Sequence, residues 1–331
     1  MLFSIVCPSY NVENFISECI ESVLNQSFVD WELIIVDDGS KDNTKNVVSR
    51  FLKDKRISLF SIPHSGQTIT RNYGVDKAKG DYIVFLDSDD CLHKDTLINL
   101  FRSIQKEPFD ILSYNMKYFN SIKDIVNDNI SDLSFTTYKG SDILKYYYGK
   151  NKTMSLCGNA IKRNLVVKGF ESVPETLRTI RFCEDFVTIF EIIKLCSSSI
   201  VFKAPFYYYR VNPDSVSHTK KPEDRTELTA AYEHVYSSYF QIEKSDKDII
   251  ETTKVFLSYL PITLVINASK HKRKVFLASR KMVLFSLFTL KNHWDSLLLK
   301  IIVFAMKHRL FILCLVFDKI YAKKYRINCK S

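Results

Sequence analysis

Short, continuous apolar runs separated by amphipathic stretches fill the first third of this 331-residue chain. Residues 2–6 (LFSIV), 32–36 (ELIIV), 56–62 (RISLFSI) and 81–87 (DYIVFLD) lack polar alternation and are rich in β-branched and aromatic side chains, as strands covered on both faces are. Between the first two, Phe15, Ile16, Cys19, Ile20, Val23 and Leu24 fall on one stripe of a helix. Ser40 and Asp42 are N-cap candidates for a second helix carrying Val47, Val48, Phe51 and Leu52, and a third helix is expected between Gly66 and Gly80. This β-α-β-α-β-α-β order predicts a right-handed, mostly parallel sheet with helices on both faces. In such a sheet ligands bind beyond the carboxyl ends of the strands.

The pattern is less regular after residue 105. Residues 109–119 (FDILSYNMKYF) read as one further strand, 120–132 as a polar excursion, and 157–170 as a short strand followed by a helix. Residues 184–196 (EDFVTIFEIIKLC) form a clear amphipathic helix, followed by strand candidates at 199–202 and 206–211. From residue 221 onward the chain reads as helical, so an α/β domain over 1–220 and a helical extension over 221–331 are expected.

Polar clusters end the apolar runs: Cys7-Pro8-Ser9-Tyr10-Asn11 after the first, Asp37-Asp38-Gly39-Ser40 after the second, and Asp87-Ser88-Asp89-Asp90 after the fourth. In one parallel sheet these converge on one crevice. Carboxylates gathered there repel one another unless cations, hydrogen-bond donors or protons compensate. A hard divalent cation with oxygen ligands, Mg²⁺ or Mn²⁺, would do so. Taken singly, either acidic cluster could be a turn or a helix cap; two of them after strands of one sheet point to a site. Asp90 is read as the cap of the helix that follows.

At this point the chain resembles the family 2 glycosyltransferases of the GT-A fold. The resemblance rests on SIVCPSYNVENFISECIESVLNQSFVDWELIIVDDGSKDNT, RNYG and GDYIVFLDSDD, in that order. It implies an inverting, metal-dependent transferase that takes a nucleotide-sugar, usually a UDP-sugar, and passes the sugar to an acceptor hydroxyl. It also divides the domain into a nucleotide-binding half, 1–105, and an acceptor-binding half, 106–220. By position, Pro8, Ser9, Tyr10 and Asn11 would line the nucleobase pocket, Asp38 would accept the uracil N3–H, and Arg71 would lie near the uracil and diphosphate. Asp87-Ser88-Asp89 resembles the DxD motif, with Asp87 approaching the ribose and Asp89 ligating the metal. Glu184-Asp185 resembles the ED motif, whose Asp is the general base. Arg210, Ser215, Ser217 or His218 would contact the diphosphate or complete the metal shell. Two other readings stay open: a nucleotidyltransferase or phosphohydrolase using the same carboxylates, and an inactive GT-A fold serving as a scaffold. Residues 120–180 match nothing in the family, which leaves the acceptor open.

Composition changes the picture in two places. The net charge of +10 looks like a nucleic-acid signal until it is mapped: residues 271–331 carry +12 and the remaining 270 carry −2. A basic tail interleaved with apolar side chains, including Trp294, Phe304 and Phe311, argues against nucleic acid. It fits an anionic membrane surface, helices packed on the catalytic domain, or a homodimer interface. Charges such as Lys300, Lys307 and Arg309 keep its apolar runs too short to span a bilayer. Eight scattered cysteines without metal-like spacing read as reduced core thiols, and the N-terminus reads as a buried strand rather than a signal peptide. These readings together predict a cytoplasmic enzyme, peripheral on the inner membrane face, acting on a glycan or lipid-linked glycan in cell-surface or capsular polysaccharide assembly.

Overall fold

All seven residues of β1 (Phe3–Ser9) and all seven of β2 (Trp31–Asp37) are buried, as their unbroken apolar character requires. The computed structural model describes residues 1–125, 128–149, 155–180 and 183–212, with isolated positions between 227 and 238. The chain divides into two compact units, Met1–Lys220 and Lys221–Ser331, and the description below concerns the first.

After β1 come α1 (Ile16–Leu24), β2, α2 (Thr44–Ser49), β3 (Ile57–Ser61), α3 (Gln67–Lys77) and β4 (Tyr82–Phe85). The two-residue β5 (Cys91–Leu92), α4 (Thr96–Lys106), β6 (Ile111–Ser113), β7 (Met116–Phe119), β8 (Phe135–Lys139) and α5 (Ser141–Gly149) follow. The domain is completed by β9 (Asn159–Lys162), α6 (Arg163–Ser172), α7 (Glu184–Ile193), β10 (Ser198–Phe202) and β11 (Tyr207–Arg210). The main sheet has eight strands in the order β3-β2-β1-β4-β9-β6-β10-β8. Pairing is parallel from β3 through β4 and between β6 and β10, and antiparallel where β9 and β8 join. Helices cover both faces. Val6 meets α3 at Gly74, where a Cβ would lie 2.5 Å from Val6 Cγ1, and the adjacent Cys7 points the other way, its Sγ 4.0 Å from that of Cys19 on α1.

This is a GT-A-like α/β fold with a mostly parallel central sheet, as the sequence implied. Two expectations are corrected. Residues 109–119 are not one strand: β6 belongs to the main sheet, whereas β7 pairs with β11 in a separate three-stranded sheet, β5-β11-β7. The crossing is fixed at Tyr114 and Asn115, whose N–H groups donate to Gly158 O and Ala204 O. Asp90 caps no helix. The N-cap of α4 is Asp95, and Asp90 accepts hydrogen bonds from β11 instead.

The antiparallel insertion of β9 between β4 and β6 brings the segment before it to the end of β4. An isolated parallel bridge between Phe85 and Cys157 sets residues 155–157 beside the carboxyl end of β4. Beyond that end lies Asp87.

Candidate active site

Two clusters form at the carboxyl ends of β1, β2 and β4. The first gathers Tyr10, Asp38 and His64. Asn11, at a φ of 52°, turns the chain after β1 in the left-handed region that Asn tolerates. Its N–H donates to Ser40 Oγ (2.9 Å) and its Oδ1 accepts from the Lys41 N–H (2.9 Å), which ties the first two loops together. Pro8 and Ser9 are buried behind them, with Ser9 O accepting from the Asp38 N–H at 2.8 Å. Asp38 is only 4% exposed; its Oδ1 accepts from Ser65 N–H (2.7 Å) and its Oδ2 from Gly66 N–H (3.1 Å). His64 Nδ1 lies 2.9 Å from the same Oδ2. Tyr10 stands at the surface, its ring stacked on that of His64.

The second cluster is built around Arg71. It lies on the buried stripe of α3 and is 1% exposed. Its Nη2 donates to Asp87 Oδ1 (2.8 Å), and its Nη1 donates to Asp185 Oδ1 and more distantly to Glu184 Oε1 (3.4 Å). With the Gln67 amide turned so that its oxygen accepts from Arg71 Nη2 (2.6 Å), its nitrogen donates to Glu184 Oε1 (3.1 Å). Asp185 Oδ2 accepts from Ser155 Oγ (2.8 Å) and Leu156 N–H (3.3 Å). Both acids stand in the first turn of α7, which follows Cys183 at a φ of 67°. Arg71 therefore lies between the DSD and ED motifs rather than on the Asp38 carboxylate.

Burial is the largest influence on the acids here. It raises the Asp185 carboxyl, with Asp87 adding to the effect and Arg71 opposing it. Glu184 is pushed up to about 8 by burial and by Asp185, again against Arg71. Burial alone would lower the Arg71 guanidinium, but Asp185 and Asp87 more than offset it and it stays cationic. Part of the carboxylate repulsion foreseen in the sequence is thus met by a protein cation.

The DSDD loop is held from β11. Tyr207 OH donates to Asp90 Oδ2 (2.6 Å) and accepts from the Asp87 N–H (3.2 Å), and the Arg210 N–H donates to Asp90 Oδ1 (2.7 Å). Arg210 Nε donates to Asp89 O (2.7 Å), its Nη2 pairs with Glu18, and its guanidinium lies 4.4 Å from the Phe119 ring centroid. Ser88 is buried within the loop. Burial and Asp87 raise the Asp89 carboxyl, while Asn212 and Arg210 oppose them.

A divalent cation fits this arrangement. Asp87 and Asp89 present hard oxygen donors, and the Asp89 carboxyl, raised first by burial and then by the neighbouring Asp87, is one that a bound cation would stabilise in its charged form. Among the described residues no group of three or more His, Cys, Asp or Glu forms a cage, so further ligands would come from a diphosphate or water. His218, Ser215 and Ser217 lie outside the described residues, as does the whole 271–331 tail. Among the described residues no helix is long and apolar enough to cross a membrane.

Sequence reasoning missed His64, Ser155 and the anchoring role of Tyr207. His64 and Ser155 are single polar residues in loops, and only their partners 26 and 30 positions away give them meaning.

The sheet order and the acidic clusters at its strand ends define a GT-A-like fold. The family model for glycosyl transferase family 2 matches residues 4–169, half of the chain, and the chain belongs to that family. A Bacillus subtilis glycosyltransferase named for teichuronic acid biosynthesis, TuaG, is 43% identical over 98 residues, 29% of this chain and 39% of that protein. The chain thus spans about two fifths of the length of the curated relatives it matches first. Among solved structures, S. aureus TarS 1–349 in complex with UDP-GlcNAc superposes with a TM-score of 0.66 at 17% identity, covering 98% of this chain and 92% of that one. The mannosyltransferase PcManGT of Pyrobaculum calidifontis, in complex with GDP-Man and Mn²⁺, gives a TM-score of 0.51 at 15% identity over 97% of this chain and 87% of that one. At these identities both speak to the fold.

Proposed function

We propose that this chain is a glycosyltransferase that moves a sugar from a UDP-sugar to an acceptor hydroxyl with inversion at the anomeric carbon, using Asp185 as the base. One observation carries the reading: Asp185, from the acceptor half, and Asp87, from the nucleotide half, are held by the two ends of one buried guanidinium, Arg71. The base and the donor-side carboxylates therefore face a common space.

Asp185 is prepared for proton removal. Arg71, Ser155 and the Leu156 N–H fix the plane of its carboxylate, and burial strengthens it as a base while Arg71 opposes that rise. Taking the acceptor proton there directs attack from the α7 side. Asp87 and Asp89 would hold Mg²⁺ or Mn²⁺ at the donor diphosphate, and such an ion when bound stabilises the charge of the departing nucleotide. Arg210 and Tyr207 keep the DSDD loop in shape through Asp89 O, Asp90 and the Asp87 N–H. Departure on the opposite side of the sugar from Asp185 gives inversion.

The uridine reading is supported by Asp38 beside the surface aromatic Tyr10, and by a TarS structure that contains UDP-GlcNAc. The name of TuaG supports a cell-surface polysaccharide context, and the +12 tail supports a peripheral position on the cytoplasmic membrane face with a lipid-linked glycan acceptor.

Asp185→Asn keeps size and shape but cannot take a proton. It should lower transfer by about 10²-fold or more while leaving UDP affinity within about threefold. Asp38→Ala should weaken UDP first. Near wild-type transfer by Asp185→Asn, or its failure through loss of UDP binding, would refute the base assignment.

A further inference from the structure

Beside Asp38, two aromatic side chains from different loops lie face to face at the surface. The Tyr10 and His64 ring centroids are 4.4 Å apart with planes 24° from parallel, and the side chains are well exposed, His64 at 60%. The surrounding chain is arranged to hold them. We propose that His64 contacts the nucleobase: with Tyr10 it forms a stacked aromatic seat on which the base of a nucleoside diphosphate adds as the next layer. This rests on the nucleotide-sugar reading above and assigns it a residue outside the family motifs.

The seat is built from the backbone upward. His64 belongs to the loop joining β3 to α3, and that loop is drawn to the end of β2 by four bonds: the Ile62 N–H to Asp37 O (2.9 Å), the Ser65 and Gly66 N–H groups to the Asp38 carboxylate, and His64 Nδ1 near Asp38 O (3.1 Å). Gly39, at a φ of 74°, permits this approach; a Cβ there would lie 3.1 Å from His64 N. Asp38 O and Oδ2 both accept, so the Nδ1 facing them carries the proton and orients the ring. The Asp38 carboxylate, already serving three donors, thus spends most of its capacity positioning the His64 loop. Stacking needs only a ring face, and every nucleobase has one.

The test is calorimetric binding of UDP and of inorganic diphosphate, both with Mg²⁺, to the full chain. His64→Ala should weaken UDP about tenfold, and His64→Phe should restore it to within about threefold, since a ring without Nδ1 still stacks. Inorganic diphosphate, which has no base, should bind wild type and both variants alike. Unchanged UDP affinity in His64→Ala overturns the proposal, as does an equal loss for UDP and diphosphate, or a failure of His64→Phe to restore. If wild type binds neither UDP nor GDP, the nucleotide-sugar reading falls with it; if wild type binds and His64→Ala matches it, only the His64 assignment falls.

Discussion

Replacing Arg71 with methionine should destabilise the catalytic domain by about 3–5 kcal/mol at pH 7, the range for breaking a buried ion pair from one side. The substitution removes the guanidinium that serves Asp87, Asp185 and Glu184 while leaving side-chain volume nearly unchanged. Glu184 contributes little, because with a value near 8 it is largely protonated at neutral pH already. The two aspartates carry the cost, and protonation sets its ceiling. Neutralising one Asp of ordinary value 3.8 takes about 4 kcal/mol at pH 7 but only about 2 kcal/mol at pH 5. The penalty should therefore shrink on acidification. Urea unfolding at the two pH values measures this, followed by the fluorescence of Trp31 in β2, with Trp294 replaced by phenylalanine so that the signal reports the catalytic domain alone. A penalty below about 1 kcal/mol, or one equal at pH 5 and pH 7, would show that Arg71 does not compensate these carboxylates.

Activity should require Mn²⁺ or Mg²⁺ and should vanish in Asp89→Ala with the fold intact by circular dichroism; full turnover in excess EDTA would contradict this. Asp110 gives a pH signature of stability: burial raises its carboxyl, but hydrogen bonds from Lys162 and Ser197 together hold it at about 2. Its folded value lies below its unfolded one, so its contribution of about 2 kcal/mol is present at neutral pH and fades as pH falls from 4 toward 2, and urea midpoints of wild type and Asp110→Asn should converge over that window. The +12 of residues 271–331 should produce sedimentation with anionic but not neutral vesicles, weakening with salt; none with either vesicle would place the tail on protein instead.

The parts of this molecule legible in its sequence are those in which local pattern and tertiary role coincide. β1, β2 and β4 are largely apolar because they are buried on both faces, whereas β3, at the sheet edge, is only half-buried; the polar clusters ending β1, β2 and β4 lie where parallel strands present ligands. The break between β6 and β7 was illegible because both pieces keep strand character; what differs is the sheet each joins, decided by Gly158 O and Ala204 O far along the chain. β8 escaped notice for the opposite reason. Its residues are mostly exposed, and pairing with β10 alone makes them a strand. Asp90 misled because an acid ahead of a helix suggests a cap, whereas burial and a partner 117 positions away, Tyr207, settle its role. The sequence marks Arg71 as a site candidate but not as the link between two motifs, since the 114-residue separation from Asp185 leaves no local trace.

That link has an energetic consequence that separates it from a set of independent contacts. Asp87→Asn leaves Arg71 paired with Asp185, and Asp185→Asn leaves it paired with Asp87, so each change alone keeps the buried cation compensated. Each should cost about 1 kcal/mol or less in stability, because removing one of several neighbouring like charges also relieves repulsion. The double substitution leaves only Glu184, whose oxygen is 3.4 Å from Nη1 and whose carboxyl must ionise to take over. Its cost should exceed the sum of the singles by about 2 kcal/mol, a coupling typical of residues in one ion network. Additive costs would mean that the guanidinium is compensated independently of the two aspartates. The loop after β4 and the start of α7 would then not be bound together through Arg71, and the shared space proposed for donor and base would lose its structural support.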